Sequence, residues 1–198
     1  MQLEALQAIV ESLIFVSSAL RAAAPVTLKE LGEATGASQG ELSTVLQKLR
    51  QSYQLGYHGI SLENVAGGYQ FRTKLEQGPW IKKLHQTKPV KMTRSQMETL
   101  AIVAYKQPVT RIDVDAIRGV DSSHLLKMLL DRKMIRILGV KESPGRPLLY
   151  GTTQDFLEFF GLSGIHELPS LESLKELHVS DRSLPLFEKD VIKEDELS

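Results

Sequence analysis

Cysteine is absent from the 198 residues, which excludes disulfide staples, thiol catalysis and cysteine-ligated zinc or iron–sulfur centres and is compatible with a reducing cytosol. No apolar run approaches the roughly 20 residues that cross a bilayer. The nearest, Leu13 to Val16, follows Glu4 and Glu11 where an export signal carries Lys or Arg, so neither a membrane segment nor a secretory signal is expected and the chain is assigned to the cytoplasm. Net charge is also lacking, with 24 Lys+Arg against 24 Asp+Glu. Neutrality argues against a nucleic-acid binder, because affinity for phosphate comes from clustered cations. The total conceals an asymmetry, however. Residues 154–198 hold eleven acids against Lys175, Arg182, Lys189 and Lys193, a net of −7, so residues 1–153 carry +7. What remains, 42% hydrophobic and 24% charged, is an ordinary globular composition, long enough for one domain or two small ones.

The chain repeats itself. Pro25-Val26-Thr27, eight residues and Gly36 recur 83 positions later as Pro108-Val109-Thr110, eight residues and Gly119. At the same offset Leu31 meets Val114, Ala34 meets Ile117, Ser38 meets Asp121, Leu42 meets Leu125, Val45 meets Met128 and Leu46 meets Leu129. Each copy opens on an apolar helix, Leu3 to about Ser18 and Ser95 to Tyr105. A short second helix starts at the N-cap Thr27 or Thr110 and stops at the glycine, which takes the left-handed C′ conformation. Ser38 or Asp121 caps a third helix that runs to about Tyr53 or Met134. Three helices with a tight turn before the third make a helix-turn-helix.

A hairpin follows each third helix. Ile60, Leu62, Tyr69 and Phe71 alternate around Ala66-Gly67-Gly68, with the glycines supplying positive φ. The second copy has Ile135 and Ile137, then Ser143-Pro144-Gly145-Arg146-Pro147, then Leu148-Leu149-Tyr150. The expected fold is therefore mainly α with small β-hairpins, as two tandem winged-helix domains. The boundaries are 1–77 for the first domain, 78–93 for a basic linker, 94–165 for the second domain and 166–198 for a C-terminal segment with an acidic, disordered tail.

No residue pattern carries catalysis. His58, His85, His124, His166 and His178 never pair at helical spacing, so no metal residue is assigned. Asp121-Ser122-Ser123-His124 contains the residue types of a serine hydrolase, but a triad is assembled from separate segments, and a helix cap explains these residues. Nor do the glycines of Gly67-Gly68 or Gly145 lie between a strand and a helix with phosphate-loop spacing. No cofactor is expected.

DNA readers present Arg, Lys, Asn or Gln from the front of the third helix. The first copy offers Gln39, Glu41, Ser43, Thr44, Gln47 and Lys48, and the second Ser122, Ser123, His124 and Lys127, which are poor recognition surfaces. Between Glu76 and Glu98 stand Lys82, Lys83, Lys88, Lys91 and Arg94 with no acid, either a solvated linker or a weak, sequence-independent phosphate contact. Apolar surface is more informative. Leu3, Leu6, Ile9, Val10, Leu13, Ile14 and Val16 cover an arc of roughly 160° on the first helix, with Phe15 outside it. That breadth suits a central core helix or one that shares half its arc with another chain. Phe156-Leu157-Glu158-Phe159-Phe160-Gly161-Leu162 holds three of the six phenylalanines on both faces of a helix, one face for docking and one for a partner.

Gln107-Pro108-Val109-Thr110-Arg111, Ile117-Arg118-Gly119-Val120-Asp121-Ser122-Ser123, and Pro144 to Thr153 followed by Phe156 to Leu162 resemble the bacterial segregation and condensation protein B family. The resemblance covers about residues 3–177. It departs at Ala19 to Pro25, where Arg21-Ala22-Ala23-Ala24 lengthens a loop, and it does not extend into the tail. It implies a non-enzymatic subunit of the bacterial SMC complex, associated with the nucleoid and acting in chromosome condensation and partition during cell division. It further implies a homodimer paired mainly through the first domain, which grips the central segment of the kleisin, segregation and condensation protein A, and so reaches the SMC ATPase. On this basis Leu6, Ile9, Leu13 and Phe15 are candidates for the dimer interface. Arg146, Leu148, Tyr150, Phe156, Phe159 and Phe160 are candidates for kleisin binding, and Lys82, Lys83, Lys88, Lys91 and Arg94 for weak DNA contact. The alternative is a winged-helix transcriptional regulator that binds DNA.

The charge partition has a measurable consequence. If the acidic tail screens the basic body, a chain truncated at residue 177 binds random duplex more tightly than the full chain at low salt, and the difference fades as salt rises; equal gel-shift midpoints would remove the screening.

Overall fold

In a computed structural model of the chain, residues 2–20, 24–85, 92–170 and 173 are described. Helix α1 (Leu3–Leu20) precedes α2 (Leu28–Thr35) and α3 (Gln39–Gln54), and β1 (Ile60–Val65) and β2 (Gly68–Thr73) form the first hairpin. A 3-10 turn at Leu75–Gln77 leads into α4 (Gly78–His85). The second half repeats the plan with α5 (Arg94–Lys106), β3 (Val109–Thr110), α6 (Arg111–Arg118), α7 (Ser123–Asp131), β4 (Ile135–Val140) and β5 (Leu148–Thr152), followed by α8 (Gln154–Phe160). Met1–His166 make one compact unit. In the second, Glu167–Ser198, the Ser173 amide donates to the Ser170 hydroxyl at 3.1 Å.

The short helices start where hydroxyls precede acids. Thr27 Oγ1 accepts from the Glu30 amide at 3.2 Å while Glu30 Oε2 accepts from the Thr27 amide at 2.9 Å. Thr110 and Asp113 repeat this reciprocal box at 3.3 and 3.0 Å, which holds the Asp113 carboxyl below its ordinary pKa through the Thr110 hydrogen bonds. Both helices end at a glycine with positive φ, 69° at Gly36 and 73° at Gly119. Ser38 and Glu41 form a further box at the head of α3.

At the third helix the repeat slips by one residue. Asp121 was expected as the counterpart of Ser38, but the N-cap of α7 is Ser122, because its turn is one residue longer. Leu42 and Val45, buried on α3, therefore correspond to Leu126 and Leu129 on α7, an offset of 84 and not 83. Asp121 instead accepts from the Ser123 amide at 3.3 Å and the Ser123 hydroxyl at 2.8 Å.

Each helix-turn-helix is closed by backbone pairing to its wing. Val26 exchanges two hydrogen bonds with Tyr69, at 2.9 and 2.8 Å, and in the second half Val109 pairs with Tyr150 in a sheet of order β3-β5-β4. The glycine pair of the first wing divides its work differently from expectation. Ala66 and Gly67 carry the positive φ values of the turn, 51° and 77°. Gly68 instead lets β2 approach the preceding loop, since a Cβ there would lie 2.9 Å from the Val26 carbonyl oxygen. Gly151 in the second wing makes room for side chains instead, since a Cβ there would meet Leu138 Cδ1 at 2.6 Å and Gln107 Oε1 at 2.8 Å.

One core gathers Leu6, Val10, Ile14, Val26, Leu31, Leu42, Val45, Leu46, Leu49 and Leu62. Leu100, Val103, Val109, Val114, Leu126, Leu129 and Ile135 are among the buried residues of the second half. Part of the stretch expected as a linker is thus helical, as α4, while residues 86–91, the extra loop residues Arg21 to Ala23 and the tail lie outside the described residues.

Thr110→Ala should cost about 1 kcal/mol by removing the cap, read as a lower urea midpoint at unchanged slope. Gly68→Ala should cost more, because backbone and not a flexible side chain occupies the space.

Candidate functional site

Helix α1 divides its apolar arc. Leu6, Val10 and Ile14, spaced by four, face the first core. Ile9, 41% exposed, and Val16 stand on the outer side, and Phe15, 64% exposed, projects beside them. Ala8, Ile9, Ser12, Leu13 and Val16 line a shallow groove of about 390 Å³ on this face. Of the four dimer candidates, Ile9 and Phe15 offer surface and Leu13 packs partly against the core. Leu6 is a correction: at 2% exposure it is core and has no surface to offer a second chain.

Beside this face, Glu11 accepts a hydrogen bond from the Tyr53 hydroxyl, which pushes the phenol up to about 12 with burial as the lesser cause. Tyr53 also packs edge-on against Phe71 at 4.8 Å. This ties α1 to α3 and the first wing, so the outer face belongs to a rigid element.

The second candidate set is split between core and surface. Phe156 is 2% exposed and Tyr150 9%, so both are structural, another correction to the partner-binding set. Phe159 (50% exposed), Phe160 and Leu148 are open, and Phe160 stacks near Phe156 at 4.8 Å and Phe159 at 5.1 Å. Arg146 is exposed in the tight loop between β4 and β5, with φ 41° after Gly145 at 79°, its amide donating to the Ser143 carbonyl at 2.9 Å. Thr153, at the end of β5, caps α8 by accepting from the Phe156 amide at 3.1 Å and donates to the Lys133 carbonyl, so the aromatic helix is anchored to the second half.

Sequence reasoning missed exposed apolar residues on the second wing and α6. Ile137, Leu138 and Val140 are exposed on β4, as are Ile112 and Ile117 on α6 and Val120 after it. The β4 residues were hidden because Ile135, buried, and Ile137, exposed, share strand parity in a regular stretch of pairing, and the register irregularity between Ile137 and Gly139 then changes the parity of the residues that follow. On α4, Trp80 is exposed with Lys83 Nζ 5.0 Å from its ring centroid, and Lys82 and Arg94 are exposed nearby in sequence; Lys88 and Lys91 lie outside the described residues.

The third helices make poor base readers. Ser43 and Thr44 turn their hydroxyls back onto the carbonyls of Gln39 and Gly40, at 2.8 and 2.9 Å, and Glu41 is held in its cap. In the second half Ser123 bonds Asp121, while the buried Ser122 donates to the Val120 carbonyl at 3.4 Å and accepts from Arg118 Nη1 at 3.2 Å. Asp121 is engaged by Ser123 and by Arg111 at 3.3 Å, which lowers its carboxyl pKa chiefly through the Ser123 hydrogen bond. These groups serve the turn, and none of these bonds links Asp121 or Ser122 to His124. Among the described residues no group of three or more His, Asp or Glu side chains is placed to hold a metal, and no helix is long and apolar enough to cross a membrane.

Residues 8–171 match the family described as segregation and condensation complex subunit ScpB. The chain is 44% identical over 185 residues to segregation and condensation protein B of Syntrophotalea carbinolica, covering 93% of this chain and 91% of that one. It is 41% identical over 179 residues to the Myxococcus xanthus protein of the same name, covering 90% of this chain and 53% of that longer one. The crystal structure of ScpB from Mycobacterium tuberculosis is 32% identical, covering 82% of this chain and 98% of that chain, with a TM-score of 0.39.

The two faces of α1 should respond differently to charge. Leu6→Glu should abolish the helical circular dichroism, whereas Ile9→Glu and Phe15→Glu should retain it; loss of fold in the latter pair would place them in the core.

Proposed function

The chain belongs to the segregation and condensation complex subunit ScpB family, and on that premise we propose that it is a non-catalytic, homodimeric subunit that binds the central segment of the kleisin. Two copies pair through the outer face of α1, with Ile9, Leu13 and Phe15 at the contact. The second half, through Phe159, Phe160, Leu148 and the Arg146 loop, receives an amphipathic stretch of the kleisin in the helix-in-groove mode. Through the kleisin the dimer reaches the SMC ATPase, which supplies the chemistry. The subunit accordingly works at the nucleoid in the cytoplasm, and Lys82, Lys83 and Arg94 give at most weak, salt-sensitive contact with DNA.

The observation that carries this reading is where the large apolar side chains are spent. Ile9 and Phe15 on α1 and Phe159 on α8 are left in water, while hydroxyls on the front of α3 are turned into their own helix. Exposed apolar groups on a helix suit protein contact, and a helix whose polar groups are already satisfied has little left to read bases. A duplex-binding regulator would distribute these resources the other way.

Co-purification with the central kleisin segment should give a complex whose mass corresponds to two copies of this chain per segment. Ile9→Glu together with Phe15→Glu should yield a folded monomer by light scattering. A persistent dimer would move the pairing face elsewhere. Selection of one tight duplex sequence from a random pool would favour the regulator instead.

A further inference from the structure

The first wing touches more than its own domain. Arg72 on β2 donates through Nη2 to the carbonyl of Glu158 in the last turn of α8, and through Nε to Gln70 Oε1 at 2.9 Å. Gln70, 4% exposed, donates through Nε2 to the Glu158 carboxylate at 3.3 Å. At the tip of the same hairpin the Ala66 amide donates to the Leu162 carbonyl at 2.8 Å.

The acceptors lie at and just beyond the C-terminus of α8: the Glu158 carbonyl, which also accepts from the Gly161 amide at 3.2 Å, the Glu158 carboxylate, and the Leu162 carbonyl that follows the helix. Helix α8 ends with Gly161 at φ 68°, where the Leu162 amide closes back on the Leu157 carbonyl at 2.8 Å. Cationic Arg72 therefore meets the negative end of the helix, and its neighbour Gln70 orients it. Gly161 leaves room for the guanidinium, since a Cβ there would stand 3.3 Å from Arg72 Nη1. Donors from Ala66, Gln70 and Arg72 on one hairpin thus meet acceptors of Glu158 and Leu162 at a helix end more than 80 residues away in the chain.

We infer that the first wing is a receptor for the C-terminal end of α8, a hydrogen-bonded clasp that makes the two winged-helix halves move as one body. In other helix-turn-helix proteins a wing is free to contact a duplex; here the tip and one edge of the wing are committed within the chain. Phe159 and Phe160, one and two residues beyond Glu158, stand exposed on the helix that the wing holds. Loading of their aromatic face is felt at the wing, a consequence that rests on the proposed kleisin contact, whereas the clasp itself needs no partner.

Because the chain lacks cysteine, a pair introduced at the exposed positions Lys48 on α3 and Lys127 on α7 can carry two spin labels without competing sites. The full chain is labelled, diluted into unlabelled protein so that each dimer holds one labelled copy, and measured by pulsed electron–electron double resonance without partner. One narrow distance distribution is expected, with Arg72→Ala broadening it while helical content is kept. Hydrogen exchange at the Ala66 amide should quicken by about tenfold or more, the factor expected for losing one hydrogen bond to a charged group. Gly161→Val perturbs the same contact from the α8 side without altering the first wing, and it should broaden the distances likewise. Gln51→Ala, a change at an exposed position on α3, should leave both readouts unchanged. A distribution equally narrow in Arg72→Ala and Gly161→Val, or one already broad in the parent chain, would overturn the clasp. Kleisin affinity, measured separately, decides only whether the coupling reaches the partner.

Discussion

The two-bond exchange between Val26 and Tyr69, and its counterpart between Val109 and Tyr150, is the constraint on which both halves depend. A helix-turn-helix of this size has little core of its own, and a two-stranded hairpin is marginal in water. Joining the loop before the second helix to the returning strand of the wing puts both under one hydrophobic layer. The requirement reaches back into residue choice, because only glycine at position 68 lets the two backbones come this close, while Gly151 makes room for the Leu138 and Gln107 side chains. With each wing tied down, α1 and α5 are held beneath it and their inner stripes become core.

That closure also determines what is left over. Once Leu6, Val10 and Ile14 have entered the core, Ile9, Val16 and Phe15 have no place inside. Likewise Phe156 fills the second half while Phe159 and Phe160 stay outside. Large apolar side chains are thus spent on the surface, while the hydroxyls at the front of α3 are turned back onto their own helix. The hydrogen bonds from Arg72 and Gln70 to Glu158 tie the first wing to the helix that carries Phe159 and Phe160.

Much of this could be read along the chain because it follows local rules. Thr27, Thr110, Gly36 and Gly119 act through bonds to residues three or four positions away, so the helix starts and stops are visible without a fold. The slip from Asp121 to Ser122 escaped because a turn longer by one residue shows itself only in which leucines are buried; Leu125 and Leu126 are adjacent and chemically equal. The part of the candidate site that failed did so for a similar reason. Helical periodicity finds an apolar arc but does not say which edge of it a neighbouring element covers, so Leu6 and Ile9 looked alike. Tyr150 and Phe156 likewise carry no local mark that separates them from Leu148 and Phe159.

The sequence by itself determined the repeat, the order of helices and hairpins, the caps, the lack of thiol chemistry and the family, because each rests on residue identity or on neighbours within one turn. Tertiary structure alone decided which half of each apolar helix is interior, why Gly68 must be glycine, and that a wing from one half bonds the helix end of the other. Those outcomes depend on segments far apart in the chain arriving within hydrogen-bond distance, and no local pattern encodes which of several equivalent surfaces will meet.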